Sequence, residues 1–391
     1  MSHFPNVFQQ FEHPYAWLDL NALDHNIQVM LRGTGDKQIR IATKSIRSLD
    51  VMRYVAQSMP DEKFAGWMTF TTAETVYLCE AGLNHLLIGY PTLEPQSTRQ
   101  LMRWLKKGKD ITFMVDCVAH VDFLAALAAE EDVAAPICID VNVSQAYPGL
   151  YFGTRRSSQQ QPKQLKQFLK AILPSPYIYV TSLMGYDAQI AGVGDAPLQK
   201  SKGAVIQSLQ KRARKAVQKQ RLQAVKLLEK QLGPLRFVNG GGTGSMAYSA
   251  SCDEITEITI GSGLYRPALF DYYTDMSFVP SAGYTVRATR KPDIKTIVAS
   301  GGGYIASGAI GDDKAPKPID DALSFYNTEG AGEVQTPLNM PKNRYNIGDS
   351  IVLRHAKAGE LCERFQVLHS YRGHEYVGPM KTYRGDGQCF L

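Results

Sequence analysis

The chain has 391 residues, 44% of them hydrophobic and 20% charged, with a formal net charge of +6. That balance is ordinary for a globular protein, and the charge is too mild for this length to point to nucleic acid. No apolar run approaches the ~20 residues that span a bilayer, which argues against a membrane protein. The length allows two domains, or one large barrel with an appendage. The N-terminus carries no charged segment followed by an apolar one, and the six cysteines show no C-x-x-C pair. A reduced, cytoplasmic chain is expected, with Cys79, Cys117 and Cys138 as small core residues.

From residue 38 onward, short apolar runs alternate with helical patterns. The predicted strands are "QIRIAT" (38–43), "FAGWMTF" (64–70), "HLLIGY" (85–90), "ITFMVD" (111–116), "PICIDVNV" (136–143), "YIYVTSLMGY" (177–186), "LRFVNGG" (235–241) and "EITEITIG" (254–261). Between them lie helical segments such as "RSLDVMRYVAQS", "TAETVYLCEAG", "QSTRQLMRWLKKG" and "AHVDFLAALAAEE". Residues 200–231 form a long basic stretch in which Val205, Leu209, Val217, Leu222, Val225 and Leu228 recur at helical spacing. That pattern predicts an amphipathic helix with a solvated basic face. No aromatics interleave its charges, so a nucleic-acid partner is not expected. Eight strands alternating with helices predict a parallel sheet, and the natural closed form is a (β/α)8 TIM-type barrel. A doubly wound open sheet stays the alternative, because periodicity does not show closure.

After about residue 280 the texture changes. "AGYTVRATR", "TIVASGGGY", "SIVLRHAKAG" and "FQVLHSYRGHEYVGPMKTY" alternate and are cut by Gly and Pro, which predicts a mainly-β domain. The division is a barrel over 25–280 and a C-terminal β-domain over 281–391, completed by the N-terminal segment 1–24.

In a barrel, the loops after the strands' carboxyl ends build the site. Lys44 follows the first of the eight strands in "IRIATKSIRS". Two readings are open there. The ammonium snorkels to water, or it forms a Schiff base in a pocket at the strand's end. Arg155 lies in the long loop after the fifth strand, and Tyr186 ends the sixth. The seventh ends in "NGGGTGS" and the eighth in "GSGLY". Glycine clusters let backbone N–H groups converge on an anion, and barrels often hold phosphate near strands seven and eight. A phosphate site facing a strand-end lysine suggests pyridoxal phosphate, its aldehyde held by Lys44. Its phosphate would be held by Gly241, Gly242, Thr243 and Gly263 with Tyr265.

The ordered set "AWLDLNALDHNI", "IRIATKS", "SLMGYDA", "VNGGGTGS" and "ITEITIGSGLYRPALFD" resembles the alanine-racemase-like, fold-type III pyridoxal-phosphate enzymes. Within them it is most similar to the branch containing D-threonine aldolase and D-serine dehydratase. The resemblance implies a barrel carrying pyridoxal phosphate on Lys44, with Tyr186 near the pyridine nitrogen and Arg155 near the phenolic oxygen. "FGTRRSS" departs from the usual Arg-x-Gly of that group, and Arg156 stands beside Arg155. A homodimer is also implied. In the same branch a His-x-Cys or His-x-Asp pair holds a divalent metal. Here "RHAKAGELCERF" puts His355 at the first position and Lys357 at the second. An ammonium has no lone pair and repels a cation by about 4 kcal/mol at ~4 Å and an effective dielectric near 20. Zinc or manganese at His355 is therefore disfavoured. Either Glu360 or Cys362 supplies a ligand, or Lys357 replaces the metal's charge toward a small amino-acid substrate.

The expected function is a lyase, aldolase or dehydratase, acting on a D-configured β-hydroxy amino acid. Lys44 would move protons, and His355 with Lys357 would handle the β-hydroxyl. An amino-acid racemase and a non-catalytic pyridoxal-phosphate carrier are the alternatives.

Overall fold

The computed structural model describes residues 11–196, 200–274, 276–309 and 311–391, with only the backbone given for 200–202. Residues 1–10 of the N-terminal segment assigned to the β-domain lie outside the described residues.

In chain order the elements begin with β1 (Tyr15–Asp19), α1 (Leu20–Gly33), β2 (Gln38–Ala42), α2 (Leu49–Gln57), β3 (Phe64–Thr69) and α3 (Thr72–Glu80). Next come β4 (Leu86–Ile88), α4 (Pro95–Lys106), β5 (Ile111–Val115), α5 (Val118–Glu130) and β6 (Ala135–Asp140). A hairpin, β7 (Gln145–Tyr147) and β8 (Leu150–Phe152), precedes α6 (Pro162–Ile172), β9 (Ile178–Gly185), α7 (Ala188–Ala191) and α8 (Lys200–Leu232). The alternation ends with β10 (Phe237–Gly240), α9 (Met246–Ala250), β11 (Glu257–Ile260) and α10 (Ser262–Tyr265). Strands follow: β12 (Ala282–Asp293), β13 (Thr296–Ser300), β14 (Lys317–Pro318), β15 (Ser324–Phe325), β16 (Gln335–Asn339), β17 (Ser350–Arg354), β18 (Val367–Arg372) and β19 (Glu375–Lys381).

The chain divides into two compact units, one of residues 31–44, 59–260 and 390–391, the other of 1–30, 45–58 and 261–389. The first unit is the closed barrel, with strand order β10-β11-β2-β3-β4-β5-β6-β9. Closure is made by β11 and β2, which pair in parallel with Ile258 opposite Ile39 and Ile260 opposite Ile41. Of the two sheet architectures open from the sequence, the closed one is the architecture of this chain. Leu87, Met114, Cys138, Met184 and Phe237 form a buried cluster contributed by five barrel strands, with Met68 packed against it. Beside it Arg40 holds Glu257 through two hydrogen bonds of 2.7 and 2.8 Å, and its guanidinium lies 5.0 Å from the Phe237 ring centre. Both charges are buried, so the pair stands only because each neutralises the other with matched geometry.

Local chemistry sets the helix starts. Thr71 accepts the Glu74 N–H, and Glu74 reaches back to the Phe70 N–H, closing α3's first turn. Helix α8 covers the predicted basic helix and buries Ala213, Val217, Val225 and Leu228, while Val205 stays 60% exposed. Its basic face is not wholly solvated. Arg221 is completely buried, because Glu254 and Asp187 meet it inside. Cys79 and Cys138 are buried as expected, but Cys117 is half-buried, since it caps α5 instead of lying within a strand.

The second unit is built on a nine-stranded sheet, with the path β15-β16-β13-β12-β1-β18-β19 and β17 paired to β12 and β14. Strand β1 runs antiparallel to β12 and parallel to β18, which seats the aromatic N-terminal run in the sheet. Tyr15, Trp17 and Tyr371 form one of its buried clusters.

Candidate active site

The carboxyl end of β2 passes into a single 3-10 turn, Thr43–Ser45. Thr43 Oγ1 donates to the Met68 carbonyl at 3.0 Å, which pins the turn to β3. Lys44 is thereby held exposed, and its ammonium donates to the Tyr90 hydroxyl at 2.7 Å. Tyr90 is the second residue past β4. Burial pushes its phenol up, but the Lys44 charge, their hydrogen bond and Arg156 outweigh this and leave it below the ordinary range. A lysine beside such a phenol has a partner that accepts or returns a proton.

Strand β6 ends on Asp140, whose Oδ2 accepts from Arg156 Nε at 2.6 Å. Its other oxygen, Oδ1, is buried with no hydrogen-bond partner. Burial pushes this carboxyl up to about 6 against the pull of Arg156, because only one of its two oxygens is solvated by a cation. The Arg156 guanidinium also lies 5.6 Å from the Tyr186 ring centre. Tyr186 is half-buried, and desolvation pushes its phenol up to about 12. Arg155 points elsewhere. It is exposed and lies over the Tyr151 ring at 4.8 Å. The structure thus brings Arg156, rather than Arg155, to Tyr186 and Asp140.

After β10 the chain enters the glycine loop. Gly241 has φ of +79°, and a side chain there would strike Ile258 Cγ2 and Ser249 Oγ at 2.8 Å. Gly242 would bring a Cβ to 2.9 Å from Ala191. The loop therefore hugs the barrel end as bare backbone, which suits close approach to an anion. Behind it, Ser245 and Ser249 each donate to Asp187 at 3.3 Å, and Asp187 lies 3.8 Å from Arg221. Arg221 in turn donates to Glu254 at 3.0 Å and to the Gly185 carbonyl at 3.4 Å. One buried arginine thus ties the end of β9 to the turn after β10.

Gly263 and Tyr265 belong to the second unit and are buried in α10. Tyr265 donates to the Ile46 carbonyl at 3.1 Å and bonds the Cys362 thiol, which burial pushes up to about 12. His355 packs edge-on to Tyr265, 6.3 Å between ring centres. It is 3% exposed, and neither ring nitrogen has a hydrogen bond of normal geometry. Burial first, then the Arg354 charge, lowers its pKa to about 3 from the usual 6.5. The ring is neutral at ordinary pH. Between those two values the unfolded chain binds more protons than the folded one, so acidification from about 6.5 towards 3 costs stability. We expect His355→Gln to flatten this acid-side loss in urea unfolding followed from neutral pH downward. An unchanged slope would mean that the ring titrates normally when folded.

Lys357 faces a different neighbourhood. Its ammonium donates to the Ser307 carbonyl at 2.7 Å and lies 3.9 Å from Glu360, which itself accepts from Ser307. Among the described residues, the group of three donor side chains close enough to share an ion is Asp116, Cys117 and His120, and His355 is in no such group. A divalent metal at His355 does not fit this arrangement: His355 belongs to no group of three donor side chains among the described residues, and the Arg354 charge that lowers its pKa also opposes a cation there.

The sequence reading missed Tyr90 and Asp140. Each ends or follows an apolar strand, which was the available signal, but a strand end alone does not show which side chain turns into the mouth.

With this geometry in view, comparison with known proteins assigns the chain. The family described as "Alanine racemase, N-terminal domain" matches residues 18–267. The chain belongs to that family. This alanine racemase-type chain is 23% identical over 263 residues to 3-hydroxy-D-aspartate aldolase of Paracoccus denitrificans (strain Pd 1222), covering 66% of itself and 62% of that relative's length. Its fold matches D-threonine aldolase from Filomicrobium marinum with a TM-score of 0.81 at 15% identity, over 98% of this chain and 97% of that one. It also matches D-threo-3-hydroxyaspartate dehydratase from Delftia sp. HT23 with a TM-score of 0.77 at 14% identity, over 96% and 98%. These solved structures share the barrel with its mainly-β companion. Pyridoxal phosphate, which the family implies, fits the barrel's own residues. An exposed strand-end lysine with a phenol partner, an arginine beside Tyr186, a buried carboxylate oxygen without a partner and a side-chain-free loop supply its kinds of ligand. Among the described residues, no helix is long and apolar enough to cross a membrane.

Proposed function

We propose that this protein is a pyridoxal-phosphate-dependent lyase that cleaves or dehydrates a D-configured β-hydroxy amino acid. The observation that carries the reading is the Lys44 ammonium, held exposed at a barrel strand end and hydrogen-bonded to Tyr90. Bound there, pyridoxal phosphate supplies an aldehyde that captures amines and a ring that takes up the electrons of the broken bond.

The chain's own residues do the rest. Lys44 would anchor the cofactor through its Nζ and would hold and move protons at that atom. Tyr90 keeps Nζ placed and, with its lowered phenol, exchanges a proton with it. Arg156, beside Tyr186 and Asp140, would take toward the cofactor the role that the resemblance gives Arg155, and Tyr186 would help to hold the ring. The backbone of Gly241, Gly242 and Thr243 would hold the phosphate, and Gly263 with Tyr265 is proposed for the same group. His355, neutral at working pH, would take the proton of the substrate's β-hydroxyl, and Lys357 would turn from its bond to Ser307 to bring a positive charge to the same end of the substrate. Removing that proton leads to aldol cleavage, while returning one to the departing oxygen leads to dehydration. The homodimer implied by the resemblance belongs to this same proposal.

The test is a panel of D- and L-β-hydroxy amino acids incubated with cofactor-loaded protein, following aldehyde and ammonia separately. Aldehyde from D-substrates marks an aldolase, and ammonia with a keto acid marks a dehydratase. Inversion of configuration without either product, or no turnover of any of them, would reject the lyase. Activity should survive chelators, because His355 belongs to no group of three donor side chains among the described residues and Arg354 opposes a cation there.

A further inference from the structure

At the carboxyl end of β5 the sequence "DCVAH" sets three different donors into one corner: a carboxylate, a thiol and an imidazole. Asp116 follows the strand, Cys117 caps α5 and His120 lies in that helix's first turn. From these contacts we propose that Asp116, Cys117 and His120 form a zinc-type transition-metal site, separate from the lysine pocket.

Asp116 Oδ, Cys117 Sγ and a His120 ring nitrogen all lie within 4.8 Å of one another. A tetrahedral zinc ion with ligands at about 2.0–2.3 Å needs separations of about 3.3–3.8 Å between them. Asp116 Oδ1 and His120 Nδ1 already stand 3.2 Å apart. His120 Nδ1 also lies 3.4 Å from the Asp116 backbone N–H as its acceptor. In that tautomer two lone pairs face each other across the corner, an arrangement that calls for a proton or a cation between them. The thiol does not cap its own helix, since Cys117 makes no side-chain cap hydrogen bond.

The corner is also braced and reachable. Ser158 Oγ and Gln159 Nε2 donate to the Asp116 carbonyl at 3.1 and 2.8 Å, fixing the residue whose carboxylate is the first ligand. The side chains of Asp116 and His120 keep 18% and 19% exposure, enough for an ion to enter and for water to complete four ligands. The start of α5 carries partial positive charge that opposes a cation, and two anionic donors offset it. A thiolate with an imidazole selects zinc or cobalt over magnesium or calcium.

The test uses the purified full-length holoenzyme, stripped with a chelator and titrated with zinc against a chromophoric competitor. Cobalt is then used for its thiolate-to-metal absorbance. We expect one zinc per chain and a cobalt–thiolate band. Cys117→Ser should remove the band, and Cys117→Ser and His120→Asn should each weaken zinc about a hundredfold or more, beyond the loss seen for outer-shell changes. His355→Gln should leave zinc binding intact. Circular dichroism shows that each variant is folded, and Asp116→Asn serves where one is not. No saturable binding, binding that ignores Cys117→Ser and His120→Asn, or binding lost in His355→Gln would overturn the site.

Discussion

Replacing Lys44 by alanine is expected to abolish turnover, by about 10⁴-fold or more, while the barrel stays folded. The size follows from removing in one step the amine proposed to anchor the cofactor and to carry protons at the reacting carbon. The fold is spared because Lys44 is exposed, and a hydrogen bond such as the one it makes to Tyr90 is worth about 0.5–1.5 kcal/mol. The glycine loop still offers its backbone to the phosphate, so the variant should retain some cofactor but lose the covalent label that borohydride fixes on Lys44 in the parent. Peptide mapping after reduction, alongside unfolding curves, checks both halves. A label on another lysine, or a variant keeping a tenth of its activity, would remove Lys44 from the reaction.

The second large effect is on stability. Arg221→Met should cost about 3–5 kcal/mol, because it leaves Asp187 and Glu254 buried without their shared cation. Burial raises the Asp187 carboxyl, and the Arg221 charge with the two serine hydroxyls opposes that push. Without the arginine the acid takes up a proton or draws in water, and the turn after β10 loses its brace through Ser245 and Ser249. Urea unfolding measures the loss. Adding Asp187→Asn and Glu254→Gln to Arg221→Met should recover much of it, since neutral groups need no cation. A single variant as stable as the parent would show that the guanidinium carries no such weight.

By itself the sequence determined the barrel's elements. Ile39–Ala42, Ile111–Val115 and Ala135–Asp140 are apolar nearly throughout, as strands covered on both faces must be, and their flanking helices show the longer period. It also marked Lys44 and the glycine loop, because a charge or a glycine run at the end of a buried strand breaks the local pattern. The hairpin Gln145–Phe152 escaped notice, since each of its strands has only three residues and no period can be read from them. Tertiary structure alone decided closure, because β11 meets β2 across more than two hundred residues and pairing at that range leaves no local trace. It alone shows which of Arg155 and Arg156 meets Asp140 and Tyr186. The two are neighbours in sequence, and only the position of Asp140 and Tyr186 gives one of them a buried partner. It likewise singled out Arg221 from a helix of similar basic residues. A solvated arginine and a buried one look alike in sequence, and they differ only in whether distant carboxylates come close enough to replace water.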